Sequence, residues 1–462
     1  MASAGVIAWL WRRNTNPLLY LVPPALAFPP LLAYGAQALG WPVGWISTRK
    51  ALLAAILILV VFRIGRRDFS CRRIPATGFW APYVVLVAAS VVWGVLGRYN
   101  GDATAIANEF VTWLIPILVF VLIAGSPQGE NEVRGVTRLL IAIALSEVAY
   151  SGLQFLVLTG HAAFVPAPIV NLTLAAREDL EFGAMRLHGT LPNVGPNFLG
   201  AFLLFPAVLA ITRAFSCRGL SRAGFLLSGL ACMPLIAGTY SRGAMLGLVG
   251  ALLALPIWRR SIGSALLIVT AIGVMTVGIA QTPVGGHAES LYASGQFDVS
   301  AGARLYLWRS ILTTAQEHPL GLGFNGWPRE SRTRVDIGYN DPPWRLGSEH
   351  PAESQWMREL ADRGVLGVAA LALLMFGVIR TTVKVSSPVG PNSYSQDFLV
   401  AVGASSVGWC LTFLTGDHLM FENVAGLFWY TVAIALAVAR APQSRIVSDQ
   451  SRLHGDAAFS RS

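Results

Sequence analysis

Long apolar runs alternate with short basic loops along most of this chain. A helix needs about 20 mainly apolar residues to cross the hydrocarbon core of a bilayer. Runs of that length predict an all-α integral membrane protein with about 12 transmembrane helices. The predicted spans lie near residues 18–39, 48–64, 78–97, 104–124, 136–158, 196–215, 223–241, 243–258, 262–281, 363–380, 397–415 and 422–439.

A single long polar stretch, residues 282–361, interrupts this pattern and divides the chain. Inside it, Leu305, Trp308, Ile311 and Leu312 recur at helical spacing, which predicts an amphipathic helix lying on the bilayer. The predicted organisation is an N-terminal transmembrane bundle of about nine helices (1–281), a periplasmic loop with amphipathic helices (282–361), C-terminal transmembrane helices (362–440) and a disordered cytoplasmic tail (441–462).

Composition and charge agree with a membrane protein. Hydrophobic residues make up 54% of the chain and charged residues 13%, whereas charged residues make up about a quarter of soluble domains. The net charge of +10 could suggest a nucleic-acid partner. However, the arginines concentrate in alternate loops, as the positive-inside rule describes for cytoplasmic loops. We therefore predict a multi-pass protein in the bilayer with both termini cytoplasmic, and no nucleic-acid partner.

Cysteine and histidine positions give no sign of a disulfide framework or a metal site. Cys71 and Cys217 lie in predicted cytoplasmic loops, while Cys232 and Cys410 lie in predicted spans. No Cys or His spacing suggests zinc. The first apolar run is long, is broken by prolines and lacks a small-residue cleavage site, so we expect it to remain as an anchor.

Arg242 is the first candidate for chemistry. Only Thr239-Tyr240-Ser241-Arg242-Gly243 interrupts the apolar run 223–258, which predicts a tight turn at the outer surface followed by a new helix. Unpaired N–H groups at a helix start, beside a guanidinium, favour an anion such as a phosphate or diphosphate. The alternative is an arginine that reaches for lipid headgroups, which the positive-inside pattern disfavours.

Arg186 and Glu109 are two further candidates near the predicted outer surface. Arg186 precedes the predicted helix start at Pro196-Asn197 and could join Arg242, or could pair with neighbouring carboxylates of its own loop. Glu109 lies about 7 Å inside a predicted span at 1.5 Å per residue. An intramembrane carboxylate needs a partner, and we predict Arg242 or Arg186. Its role is either functional or that of a structural ion pair.

The polar stretch supplies the remaining candidates. Arg304 and Trp308 are four residues apart and share one helix face, which could hold a phosphate beside a sugar or could simply be solvated. His350 is a candidate general base, because the ordinary pKa of histidine is roughly 6.5. Glu349 and Glu353 are close enough in sequence to orient it or to substitute for it, and the alternative is a solvated loop histidine.

Taken in order, these motifs resemble the bacterial O-antigen ligase and O-antigen polymerase superfamily. The resemblance rests on Ser241-Arg242-Gly243, on Arg304 with Trp308, on the turn Pro319-Leu320-Gly321-Leu322-Gly323-Phe324, on His350, and on the helix start Leu360-Ala361-Asp362-Arg363-Gly364-Val365-Leu366-Gly367. It covers residues 186–380 approximately. One position departs from the pattern: Pro351 stands where the family usually has asparagine, which makes Glu353 the alternative base.

The resemblance implies a fold of the glycosyltransferase C kind in the bacterial inner (cytoplasmic) membrane. It also implies transfer of a glycan from undecaprenyl diphosphate to an acceptor hydroxyl, on lipid A core or on a growing polysaccharide chain, in O-antigen or exopolysaccharide synthesis. In that reaction Arg186, Arg242 and Arg304 would hold the diphosphate and His350 would activate the acceptor. The resemblance requires neither metal nor cofactor, since guanidinium groups can stabilise the leaving group.

Other interpretations remain open on sequence alone. Ligase and polymerase use the same donor chemistry and differ in the acceptor. A transporter of a small anion or a lipid-linked glycan is the alternative function, since many spans with an intramembrane Glu109 would also suit a carrier. A scaffold for envelope polysaccharide assembly is the third. The ionisable residues gather at the predicted outer face, which favours the transferase.

Overall fold

The computed structural model describes residues 18–28, 74, 76–96, 103–126, 128–166, 169–170, 173, 180–181, 184–190, 195–259, 273, 299–335, 349–386, 392–421 and 423–440. Apart from a short antiparallel pair, Leu180–Glu181 with Ala184–Met185, these residues form helices and turns, so the predicted all-α class is confirmed. The helices are α1 (Leu18–Ala27), α2 (Thr77–Leu96), α3 (Ala103–Ala124), α4 (Glu130–Leu158), α5 (Pro196–Ser216), α6 (Gly219–Gly238), α7 (Arg242–Arg259), α8 (Val299–Glu317), α9 (Gly326–Arg334), α10 (Gln355–Ser386), α11 (Tyr394–Thr412) and α12 (Asn423–Arg440).

Seven of the described helices are long and apolar enough to cross a membrane, namely α2, α3, α4, α5, α6, α10 and α12. Shorter apolar helices are found in α1 and in the first part of α7. The span predicted at 48–64 lies outside the described residues, as does all of 262–281 except residue 273. The protein is therefore a multi-helix membrane protein, and the count of about 12 spans remains a prediction.

The core of the bundle is built around α5 and α12, whose side chains are almost all buried. A helix that is apolar on every side lies either in a protein core or in a membrane, and the burial of α5 and α12 by neighbouring helices places them in the core. Aromatic rings join α12 to its neighbours: Trp409 of α11 lies 5.1 Å from Phe428, and Phe120 of α3 lies 5.1 Å from Trp429. By contrast, α2 and α6 expose large apolar side chains, as expected for helices that face lipid.

A kink in α10 receives the glycine-rich turn that follows α8. At Gly364 the backbone has φ 63° and ψ −159°, which breaks the helical hydrogen-bond pattern. The carbonyl groups of Ala361 and Asp362 instead accept hydrogen bonds from the N–H groups of Leu322 and Gly323, each at 2.9 Å. A Cβ at Gly364 would lie 1.9 Å from the Pro319 oxygen, so only glycine allows this close approach.

Helix α8 confirms the predicted helix in the polar stretch, and its contact with the bilayer stays a prediction. Leu307 and Ile311 are fully buried in a small core with Trp327 of α9, whereas Leu305 and Leu312 are 52% and 47% exposed. The buried face is set by packing against α9 and α10, and it leaves Leu305 and Leu312 on the outside of the helix.

The first turns of α10 are polar in sequence but buried in the structure. Arg358, Glu359, Asp362 and Arg363 are each at most 2% exposed. They pair along the helix, Arg358 with Asp362 at 2.7 Å and Arg363 with Glu359. A buried charge is tolerated only when it is paired and hydrogen-bonded. These ion pairs meet that condition and support the glycine-rich turn that packs on the same part of α10.

Candidate anion-binding site

Arg242 lies at the turn that the sequence predicts. Helix α6 ends at Gly238 and α7 begins at Arg242, with Tyr240 between them in the left-handed conformation, φ 53°. The Ser241 hydroxyl accepts a hydrogen bond from the N–H of Ala244, 3.3 Å away, and so caps the start of α7. The Arg242 side chain is exposed. This geometry presents a cation at the positive end of a helix dipole.

Arg186 is held against the same turn by two hydrogen bonds. Its Nε donates to the Thr239 carbonyl oxygen at 2.8 Å, and its Nη2 donates to Oδ1 of Asn197 at 2.7 Å. The neighbouring Leu187 N–H donates to the Gly238 carbonyl at 3.0 Å. The loop that carries Arg186 is therefore fixed to the end of α6 and the start of α5.

Arg304 of α8 and Arg242 line one cavity, which we call the arginine cavity. It encloses about 240 Å³ of empty space, open solvent included. Arg186 lies behind it, bonded to one of the lining residues, Asn197. The structure thus brings the three predicted arginines to one place. The lining residues are Asn197, Tyr240, Ser241, Arg242, Gly243, Arg304 and Thr415.

Glu353 contacts the arginine cavity through Arg304. Its Oε2 lies 3.3 Å from Nη2 and 3.4 Å from Nε of Arg304, with both side chains mostly buried. Glu353 also adopts a left-handed backbone, φ 53°, a conformation that costs energy for residues other than glycine. A carboxylate therefore lies directly beside one of the two guanidinium groups that line the cavity.

His350 is buried, with only 2% of its surface exposed. Its backbone N–H donates to the Ser331 hydroxyl of α9 at 2.8 Å, and it is not among the residues that line the arginine cavity. Glu349, predicted to orient it, instead pairs with Arg332 at the surface, with the two side chains 46% and 49% exposed. The segment after residue 348 is thus anchored to α9.

The partner predicted for Glu109 is wrong. Its carboxylate pairs with Arg329 of α9, whose Nη2 lies 3.3 Å from Oε2, and it accepts a hydrogen bond from the Asn325 side chain. Neither Arg242 nor Arg186 contacts it. The reason lies in the tertiary structure. The glycine-rich turn inserts between α2 and α10 and brings the start of α9 against the first turns of α3.

Asp362 holds the start of α9, a role that the sequence did not indicate. Its carboxylate accepts hydrogen bonds from the N–H groups of Asn325 and Trp327, at 3.0 and 2.9 Å, and so caps the start of α9 from another helix. Arg358 balances its charge. Because Ser331 of α9 holds the His350 backbone, Asp362 positions the candidate base indirectly.

Trp308 lies one turn from Arg304 on α8, as predicted, and packs partly buried against the small core of α8, α9 and α10. Its indole Nε1 has no hydrogen-bond partner within the described residues.

Next to Thr415, the loop between α11 and α12 buries Asp417 and His418. Burial raises the pKa of Asp417, although nearby Arg358 opposes this rise, and burial lowers the pKa of His418 to about 4.

Chemically, the arginine cavity suits a phosphate or diphosphate. Guanidinium groups bind phosphate oxygens with charge-assisted hydrogen bonds, and the Asn197 amide and the Ser241 and Thr415 hydroxyls add polar contacts. Burial raises the pKa of the lining Tyr240, so its phenol stays protonated at neutral pH. Among the described residues, no group of His, Cys, Asp and Glu side chains could hold a metal ion.

Part of the chain is similar to a known protein family. Residues 219–372 match a family model described as O-antigen ligase. The matched region contains Arg242, Arg304, His350 and Glu353, while Arg186 and Glu109 precede it. No curated protein matches the sequence. The match of residues 219–372 supports the resemblance of this part of the chain to the O-antigen ligase and O-antigen polymerase superfamily.

Proposed function

We propose that this protein transfers a glycan from undecaprenyl diphosphate to an acceptor hydroxyl at the periplasmic face of the bacterial inner membrane. One observation carries the proposal: Arg242 and Arg304, far apart in sequence, line a single cavity, and Arg186 is bonded to the Asn197 side chain in its wall. Two guanidinium groups on one cavity, with a third bonded to its wall, suit a diphosphate, because arginine forms charge-assisted and often bidentate hydrogen bonds with phosphate oxygens.

The arginines hold the donor and stabilise its leaving group. During transfer the bond between the first sugar carbon and the diphosphate oxygen breaks, and the diphosphate keeps the electron pair. The added negative charge develops beside Arg242 and Arg304, in a partly enclosed site where electrostatic stabilisation is strong. The N-terminal end of α7 adds a dipole of the same sign.

A base completes the reaction by accepting the proton of the acceptor hydroxyl as its oxygen bonds to the sugar carbon. His350 and Glu353 are the two candidates. Glu353 already contacts the arginine cavity, whereas His350 lies buried three residues away, held through Ser331. Catalytic hydrogen bonds often tighten only when substrate binds, so both residues are tested below.

The acceptor decides between the two activities of the superfamily. A ligase joins a finished chain to lipid A core, and a polymerase adds the growing chain to a new repeat unit. In either case the lipid tail of the donor lies in the bilayer beside the transmembrane helices. The exposed apolar side chains of α2 and α6 are compatible with contact to such chains.

The test is transfer by the purified full-length chain in lipid nanodiscs, with a polyprenyl diphosphate oligosaccharide as donor. Alanine at Arg242 or Arg304 should lower kcat/KM by about 10²- to 10³-fold, the usual loss for one group that stabilises a developing anion. Alanine at Arg309, exposed on the same helix as Arg304, is the matched control and should be neutral. Equal activity of all variants would refute the proposal.

A cellular experiment then separates ligase from polymerase. In the host lacking this gene, loss of a ligase leaves long chains on the lipid carrier, and loss of a polymerase leaves single repeats. Complementation by wild type and by His350→Ala or Glu353→Gln identifies the base. An unchanged polysaccharide pattern would instead favour the transporter.

A further inference from the structure

A carboxyl group inside the membrane holds the loop that carries Arg186. Glu147 lies in α4, is fully buried, and contacts Thr190 through both of its oxygens. Oε2 accepts a hydrogen bond from the Thr190 N–H at 3.0 Å, and Oε1 meets the Thr190 hydroxyl. About two turns further along α4, Gln154 exchanges hydrogen bonds with the N–H and the carbonyl of Gly189, both at 3.0 Å.

The Thr190 hydroxyl has two oxygen neighbours but only one proton. The first neighbour is the Ala27 carbonyl at the end of α1, at 2.7 Å, and the second is Oε1 of Glu147. A carbonyl can only accept, so the threonine proton goes to Ala27. The contact between Thr190 and Glu147 then requires a proton from the carboxyl group itself.

The surroundings of Glu147 also favour the neutral acid. It forms no ion pair among the described residues, and an unpaired carboxylate in a membrane interior is expensive. Gly189, with φ 61°, allows the loop to approach this closely, since a Cβ there would lie 2.5 Å from Oε2 of Glu147.

We infer that Glu147 is a neutral carboxylic acid that acts as a positioning residue for Arg186. The carboxyl donates to the Thr190 hydroxyl, that hydroxyl donates to Ala27, and the loop is tied to α1 and α4. Its other end is fixed by Leu187 and Arg186 to α5 and α6. The inference rests on the proposed function in one respect only, namely that Arg186 binds the donor diphosphate.

The test measures binding of inorganic diphosphate to the full-length chain in nanodiscs by calorimetry. Glu147→Gln keeps one donor and one acceptor in the same places and should bind diphosphate like the wild type. Glu147→Ala removes both and should raise Kd on the order of tenfold, the effect of a lost buried hydrogen bond. Ser146→Ala, exposed on the same helix, is the control. Melting temperatures show that each variant is folded.

Arg186→Ala separates this inference from the proposed function. Weaker binding in Arg186→Ala and Glu147→Ala, with normal binding in Glu147→Gln, supports the inference. Weaker binding in Arg186→Ala alone overturns it and leaves the proposed function intact. No effect in Arg186→Ala refutes the diphosphate role of that arginine. In addition, the infrared difference spectrum of wild type minus Glu147→Gln should contain the band of a protonated carboxyl, and its absence would overturn the neutral acid.

Discussion

Replacing Glu353 by glutamine gives a sharp test of the electrostatics of the arginine cavity. In the structure the Glu353 carboxylate forms an ion pair with Arg304, with Oε2 3.3 Å from Nη2. A diphosphate that binds Arg304 must compete with it. Removing the negative charge while keeping the side-chain shape should therefore strengthen diphosphate binding, although the variant removes a candidate base.

The size of the effect follows from the distance and the exposure. At 3.3 Å, the gross attraction is about 5 kcal/mol with an effective dielectric constant of roughly 20. The two side chains are 19% and 24% exposed, and desolvation and side-chain ordering leave about 1 kcal/mol net for such pairs. We therefore expect the Kd for diphosphate to fall about fivefold in Glu353→Gln.

The assay combines diphosphate binding with steady-state transfer. If Glu353 is the base, kcat should fall by about 10²- to 10⁴-fold while the donor binds more tightly. If His350 is the base, kcat should change little and His350→Ala should lose activity instead. Glu349→Gln is the matched control, because Glu349 pairs with Arg332 away from the cavity. Unchanged or weaker diphosphate binding in Glu353→Gln would refute the reasoning.

Two further predictions concern residues beside the cavity. Burial lowers the pKa of His418 to about 4, so the folded protein disfavours the protonated imidazole. The free energy of unfolding should therefore be highest above pH ~6.5 and should fall by about 3 kcal/mol as the pH decreases toward 4. His418→Gln should remove that part of the pH dependence of the melting temperature. The raised pKa of Asp417 acts in the opposite direction, and it does so equally in the wild type and in the variant. An identical pH dependence in the two proteins would contradict the prediction. Gly243→Ala would place a Cβ 1.6 Å from Oγ1 of Thr415, so we expect lost transfer and destabilisation by about 1–3 kcal/mol. Gly224→Ala, where a Cβ meets nothing within 4 Å, should change neither, and a fully active Gly243→Ala would show that the cavity wall can move.

Local signals in the sequence predicted much of the fold. The apolar runs at 78–97, 104–124 and 196–215 correspond closely to α2, α3 and α5, because length and apolar composition alone decide whether a helix can enter a bilayer. The turn at Thr239–Gly243 was equally predictable. Helix packing was not: the buried face of α8 is set by α9 and α10, which the periodicity of one helix cannot reveal.

The candidate site was only partly predictable. The three arginines were named as a group by the resemblance to the ligase superfamily, and the positive-inside pattern supported only Arg242. The structure places Arg242 and Arg304 on one cavity, with Arg186 bonded to its wall. Asp362 looked like an ordinary residue on a polar helix start, and Glu147 gave no signal beyond being an acid in an apolar run. A search for every carboxylate within a predicted span would have found Glu147 but not its partner.

The sequence by itself determined that the chain enters the membrane. It also determined the positions of the long helices and of the tight turn, and the concentration of arginines in alternate loops. These properties depend on residues close together in the chain. The tertiary structure decided which charges meet. Glu109 pairs with Arg329, 220 residues away, instead of Arg242 or Arg186, and Glu353 binds Arg304, 49 residues away. Such pairs depend on how the helices pack, since two charged groups interact strongly only when folding brings them within a few ångströms in a site of low dielectric constant.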